Sequence, residues 1–253
     1  MQMLANHPIA MFVTAFFILW WAAYWGEKAR LKRIGMEAEE REDLGMILGS
    51  TLTLLGLIIG FTFSMAISRY DQRKNYEEEE ANAIGTEYVR ADLLPADSAE
   101  KVRLLLREYA GERIKFYVLR WQRDLDPVNV RTAELQDQMW KAVLPATHTD
   151  RSAIDALVVS GMNDVINRQG YTQAAWWNRI PLAAWGLMWA IAVCCNLMIG
   201  YFVRPQRQHW LRLAVFPLIV AISFLLIADI DSPRYGIIKV KPQNLVSLQE
   251  GMK

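Results

Sequence analysis

The chain has 253 residues, 53% of them hydrophobic and 22% charged, with a net charge of +1. So even a charge balance gives no bulk argument for nucleic acid or for acidic partners. The averages resemble those of a soluble protein but hide a segregated distribution: the ends are nearly free of charge over long stretches and the middle is densely charged. That pattern predicts an all-α integral membrane protein, with four transmembrane helices and a helical extramembrane domain between the second and the third.

The first span is Ile9 to Trp25, which carries no charge. Pro8 suits a first helical turn. No Lys or Arg precedes residue 28, and the segment ends in Trp20, Trp21, Tyr24 and Trp25. A secretory leader has a basic start and a small-residue cleavage site, so the segment reads as a retained helix with an aromatic interface belt. The second span, Leu44 to Ile67, is also uncharged. Gly45, Gly49, Gly56 and Gly60 lie close to one face and would let helix backbones approach in lipid. The opposite face carries Ile47, Leu54, Ile58, Phe61 and Met65. The third span is Ile180 to Val203, entered through Trp176 and Trp177. Asn196 is its one strongly polar side chain, read as an interhelical hydrogen bond rather than part of a pathway. Cys194 and Cys195 are adjacent, poorly placed to bridge each other, and read as small apolar residues. The fourth span runs from about Leu213 to Ala228, with Arg212 able to snorkel and Pro217 expected to kink it or to sit near its start.

These spans divide the chain into residues 1–70 (first two membrane helices), 71–176 (extramembrane domain), 177–230 (last two membrane helices) and 231–253 (tail). An even number of spans places both termini on the side of the central domain. Positive charge does not settle which side that is. The loop Gly26 to Asp43 holds five Lys/Arg and the 204–212 loop holds Arg204, Arg207 and Arg212, while Arg69, Arg73, Lys74, Arg168, Arg179 and a basic tail stand opposite.

The central domain shows no run of alternating β-branched residues and reads as helix. The second membrane helix is expected to continue through Arg69 to about Leu94, where Pro95 stops it. Asp97 or Ser98 could cap the next helix, whose apolar stripe is Val102, Leu105, Tyr109 and Phe116. Asp126-Pro127 reads as a break. Two more helices are expected, near Thr132 to Leu144 and Ser152 to Arg168, with Gly170 ending the last. Residues 72–175 hold 14 Lys/Arg and 17 Asp/Glu, a near balance that argues against a nucleic-acid surface.

Nothing reads as an active site. His7, His148 and His209 do not pair with one another or with a Cys at metal-ligand spacing. No Walker loop, dinucleotide fingerprint or Gly-x-Ser-x-Gly elbow is present. No cofactor is expected. Glu77, Glu78, Glu79 and Glu80 read as a solvated helix face beyond the membrane; in several copies around a pore they would instead form a ring of negative charge. Asp229 and Asp231 read as polar termination of the fourth span. As a cation site they are weak candidates, because a closed Ca²⁺ site takes about six to eight oxygens.

The most specific stretches are LLGLIIGFTFSMAISRYDQRKNYEEEEANAIGTEYVRADLLP, Leu54 to Pro95, and ADIDSPRYGIIKV, Ala228 to Val240. The first passes from an apolar span through Ser68-Arg69-Tyr70-Asp71 into a charged helix with small residues at Ala81, Ala83 and Gly85. Both resemble the bacterial bestrophin-like family, largely uncharacterised membrane proteins similar to bestrophin ion channels. The resemblance implies that the second membrane helix lines a pore with a neck of large apolar side chains. The matching positions are Leu57, Phe61 and Met65, with Leu54, Ile58 and Ser68 as further pore-facing candidates. It also implies a homopentamer in a bacterial inner membrane, passing inorganic ions, with both termini and the central domain cytoplasmic. Two departures stand out. Tyr70-Asp71-Gln72-Arg73 replaces an aromatic-rich motif, and Asp229 and Asp231 only faintly echo the animal bestrophin Ca²⁺ clasp, so Ca²⁺ gating is not implied.

Two functional classes follow. The first is a passive channel whose apolar neck closes by dewetting. The second is a non-conducting scaffold or sensor whose helical domain binds a partner; the uncharged spans fit it equally well. An intramembrane enzyme is disfavoured, since Cys194, Cys195 and scattered Ser and Thr have no base beside them.

Overall fold

The computed structural model describes residues 6–31, 38–144, 153–202 and 209–252. His148, Ser152, Val203, Arg204 and Arg207 lie outside the described residues. Among the described residues there is no strand, and the helices are α1 (Pro8–Leu31), α2 (Ala38–Arg90), α3 (Ala96–Val118), α4 (Gln122–Val143), α5 (Ala153–Trp177), α6 (Leu182–Phe202), α7 (His209–Asp231) and α8 (Gln243–Gly251). Four helical stretches are long and apolar enough to cross a membrane: Pro8–Leu31, Glu39–Leu93, Ala153–Phe202 and Leu211–Asp231. The third joins α5 to α6, and α6 is the apolar part. The chain is therefore an all-α, multi-pass membrane protein.

α2 continues for 53 residues and leads into a 3₁₀ turn, Ala91–Leu93, closed by the Leu94 N–H on the Ala91 carbonyl. Pro95 then breaks the path, as expected. The next helix starts earlier than the sequence suggested. Pro95 occupies the cap position with no side-chain hydrogen bond, and Asp97 lies inside the first turn, where a carboxylate favours the positive helix end. The expected break at Asp126-Pro127 is absent, because the chain breaks at Leu119–Trp121 and Pro127 lies inside α4. Its missing N–H would have reached the Arg123 carbonyl close to the helix start, and Arg123 is well exposed, so water can satisfy that carbonyl. Gly170 does not end α5 either. A helical glycine costs only about 1 kcal/mol, and Thr172, Ala175 and Trp176 are buried beyond it. Pro217 lies inside α7 rather than near its start.

One compact unit comprises Met1–Arg69 and Arg179–Ile238. In it α1 packs against α6 and α7 through Met11, Ala15, Leu19 and Ala23, a stripe at four-residue spacing that is almost wholly buried. The crossing of α1 and α6 is close enough to need glycine twice. A Cβ on Gly200 would lie 1.8 Å from the Ala23 carbonyl oxygen, and one on Gly26 would lie 2.0 Å from that of Leu197. Trp185 and Trp189 of α6 meet Phe224 of α7 edge to face, with ring centroids 5.9 and 5.4 Å apart. Among the described residues Asn196 does not bridge helices: its amide donates to the Ala192 carbonyl of its own helix, at 2.8 Å.

The second unit comprises Tyr70–Asn178 and Lys239–Lys253. Its core gathers Ile84 from α2, Val102, Leu106, Tyr109 and Phe116 from α3, Leu135 and Met139 from α4, Met162 and Val165 from α5, and Leu245 from α8. The apolar stripe expected on α3 is buried throughout.

The α1–α6 crossing generates a prediction. Gly200→Val places side-chain atoms against backbone that cannot swing aside. We expect a loss of about 1–3 kcal/mol, read as a lower unfolding midpoint of the detergent-solubilised protein.

Candidate pore-lining helix and its polar anchors

The membrane stretch of α2 is unusual within this chain, because only 6% of it is buried. Its burial is confined to one stripe, Leu55, Thr62 and Ala66, which continues at helical spacing through Arg73, Glu77, Glu80, Ile84 and Glu87 to Ala91. At 3.6 residues per turn, Leu54, Leu57, Ile58, Phe61, Met65 and Ser68 fall on a second face, rotated about 110° from that stripe. Leu54, Leu57, Phe61 and Met65 are 45%, 53%, 66% and 41% exposed, Ser68 is exposed and Ile58 is half-buried. Gly45, Gly49, Gly56 and Gly60 form a third face, about 110° to the other side. A Cβ at any of these four glycines would meet nothing within 4 Å, so no helix of this chain packs there among the described residues.

Beyond the membrane the buried stripe becomes charged, which corrects the reading of the acidic run. Glu77 and Glu80 do not share a solvated face with Glu78 and Glu79; both are buried. Glu77 takes the N-terminus of α8, accepting from the Asn244 and Leu245 backbone N–H groups at 3.0 Å each and from the Asn244 side-chain amide at 2.6 Å. A carboxylate suits the positive end of a helix. Burial still raises the Glu77 carboxyl above its ordinary range, against those hydrogen bonds. Glu80 accepts from Arg113 Nε, from the Tyr117 hydroxyl at 3.3 Å and from the Thr172 hydroxyl at 3.1 Å. Arg113 is wholly buried and lies over the Phe116 ring, 4.4 Å from its centroid. Burial works against the guanidinium charge, but Glu80 outweighs it, so Arg113 is held protonated. Burial, then the Glu80 charge, pushes the Tyr109 and Tyr117 hydroxyls up. Glu79 pairs with Arg168 across to α5, and Glu78 is exposed. A ring of four carboxylates is thus not available, because three of them are bound to partners within the chain.

Sequence reasoning missed Arg73. It is 1% exposed and donates to the Ala175 and Asn178 carbonyls, at 3.2 Å each, at the C-terminal end of α5. A cation there complements the helix dipole. Its only sequence signal was helical spacing, seven residues after Ala66 and four before Glu77.

Asp229 and Asp231 lie in the last turn of α7 and are buried. Asp229 accepts from the Ile237 and Ile238 N–H groups, at 2.6 and 2.9 Å. Asp231 accepts from the Ile180 N–H at 3.2 Å and from Arg179 Nε at 2.9 Å, and Arg69 of α2 stands 3.7 Å away. The two carboxylates hold chain segments together rather than present free oxygens to a cation. Among the described residues no three His, Cys, Asp or Glu side chains gather where a metal could be held.

Residues 12–245 match the family described as Bestrophin-like domain. No curated protein matches the chain. The fold is similar to the crystal structure of a bacterial bestrophin homologue from Klebsiella pneumoniae, with a TM-score of 0.65, 12% identity and 96% of each chain covered. A singly substituted form of that homologue gives 0.66 and 12%, over 95% of this chain and 97% of the other. A crystal structure titled as a membrane protein with one substitution gives 0.66 and 11%, over the same shares.

The anchors generate a second prediction. Arg113→Ala strands a buried Glu80 carboxylate and should cost about 3–5 kcal/mol. Glu78→Ala, on the exposed side of the same turn, should change stability by less than about 0.5 kcal/mol. Denaturant unfolding followed by intrinsic fluorescence separates the two.

Proposed function

The chain belongs to the bestrophin-like family, and from that premise we propose that it is a homo-oligomeric ion channel whose neck is lined by the Leu57, Phe61, Met65 face of α2. The observation that carries this reading is the division of α2 into three faces. A helix standing in a ring around a pore needs one side toward its own chain, one toward a neighbouring copy and one toward the axis. The buried stripe from Leu55 to Ala91 serves the first. The glycine face, open within the chain, suits the second, because small residues let helices of adjoining copies approach. The third is left to large apolar side chains that stay exposed among the described residues.

Such a neck conducts when wetted and closes by dewetting, so it selects little by itself. Ion preference then belongs to other lining groups. Five copies in a bacterial inner membrane, with the Tyr70–Asn178 unit in the cytoplasm, is the arrangement that the family resemblance implies and the one we adopt.

Planar-bilayer recording of the purified protein tests the neck. Phe61→Ala widens the narrow point and should raise unitary current severalfold, with reversal potentials reporting selectivity. Unchanged or smaller current from an assembled Phe61→Ala variant would remove Phe61 from the neck. Silence from both proteins, with an intact oligomer by mass, would favour the non-conducting scaffold. A separate expectation concerns assembly: Gly56→Leu should impair oligomerisation, read by size and light scattering, while leaving the helical content of the chain unchanged.

A further inference from the structure

Glu87 differs from the other acids on the buried stripe of α2. Glu77 and Glu80 each accept several hydrogen bonds, whereas neither Glu87 carboxylate oxygen has a hydrogen-bond partner among the described residues. Its side chain is wholly buried. Its one ion pair among the described residues is with Arg90 Nη1, 4.0 Å away and on its own helix, and Arg90 is one-third exposed.

The opposing wall is α5 at Gly161. A Cβ there would lie 1.9 Å from Glu87 Oε2 and 2.5 Å from Arg90 Nη1, so a side chain at 161 would make the pair shift. α5 also brings Asp164, a like charge. A polar cavity of about 320 Å³ adjoins this contact, lined by Asn82, Thr86, Arg90, Gly161, Asp164 and Arg168 among others. Glu79, which lines the adjoining cavity, is paired with Arg168.

We propose that Glu87 is a proton-binding site built into the α2–α5 contact, which takes up a proton when the contact is tight and gives it up when the contact opens toward the adjoining cavity. The reason is electrostatic. A buried carboxylate without donors is costly, and a protonated carboxyl in the same place is not. Burial raises the Glu87 pKa, Arg90 opposes the rise and Asp164 adds to it, with the result pushed up to about 7.

The sign follows from linkage. The folded protein keeps a proton that the unfolded chain releases at its ordinary 4.5. The stabilisation from this group is therefore complete in acid and is lost as pH rises from 4.5 to about 7. Within that window the folding equilibrium changes by up to about tenfold per pH unit, and above it the effect is flat. Alkaline conditions load the α2–α5 contact with a buried charge that no described donor hydrogen-bonds, and acid relieves it.

Infrared titration of the full chain in lipid or detergent tests this independently of conduction. The expected result is a protonated-carboxyl band that disappears with a midpoint near neutral pH and is missing from Glu87→Gln. A band that persists in Glu87→Gln, or no carboxyl titrating near neutrality in the wild type, would overturn the proposal. Should Glu87→Gln not fold, Asp164→Asn serves instead. Removing the like charge should move the midpoint to lower pH, and an unmoved midpoint would also overturn the proposal. The channel reading could fail while this one stands, since none of these readouts requires current.

Discussion

A helix that leaves the bilayer and continues into water must change what it buries without changing its period. α2 does so on one stripe. Leu55, Thr62 and Ala66 serve where lipid surrounds the helix, and Arg73, Glu77, Glu80 and Glu87 serve where water does. Each charged member takes a different partner: Arg73 the carbonyl end of α5, Glu77 the amide end of α8, Glu80 the Arg113 of α3. Glu87 differs, facing Gly161, Asp164 and a distant Arg90 with no hydrogen-bond donor among the described residues. Three helices of the second unit thus take their register from one continuous element.

Buried ion pairs of this kind are weak sources of net stability, because desolvation offsets much of the attraction. Their value here lies in specificity. An apolar stripe could slide by a turn against its neighbours at modest cost. A Glu80 shifted by one turn would leave Arg113, Tyr117 and Thr172 without their acceptor. The same charges also set the helix against the membrane. Charged side chains at the centre of a bilayer cost about 2.5–3.5 kcal/mol each on insertion scales, so Arg69, Arg73 and Lys74 resist being drawn inward.

Much of this was readable from residue type and spacing alone. Long uncharged runs identify membrane helices because a helix satisfies its own backbone in lipid, and all four runs fall on helices. The face bearing Phe61 and Met65 was readable for the same reason, being a question of period. What failed depended on distant partners. The run Glu77 to Glu80 looks solvated in one dimension, since Arg113 lies 33 residues away and Asn244 lies 167 away. Gly170 carries a local breaking signal that burial of Thr172, Ala175 and Trp176 overrode, and Pro127 is tolerated because it lies close to the start of α4. The glycines pressed hardest against backbone, Gly26 and Gly200, form no visible motif, whereas no described residue lies within 4 Å of a Cβ on the conspicuous glycines of α2.

That last contrast bears on assembly. A small residue contributes to stability only where another backbone comes close, and a helical glycine with nothing near it costs about 1 kcal/mol relative to alanine. Four of them on one face of α2, with no helix of the same chain against them, represent a sizeable intrinsic penalty for an isolated chain. Lipid does not remove it, because a methyl group and an acyl chain are equally at ease together. A second protein surface does, since close approach brings van der Waals contact that a larger residue would forbid. On the proposed channel reading, the glycine face and the exposed apolar face of α2 are parts of one arrangement. The first would draw neighbouring copies together, and their approach would narrow the space onto which Phe61 and Met65 face.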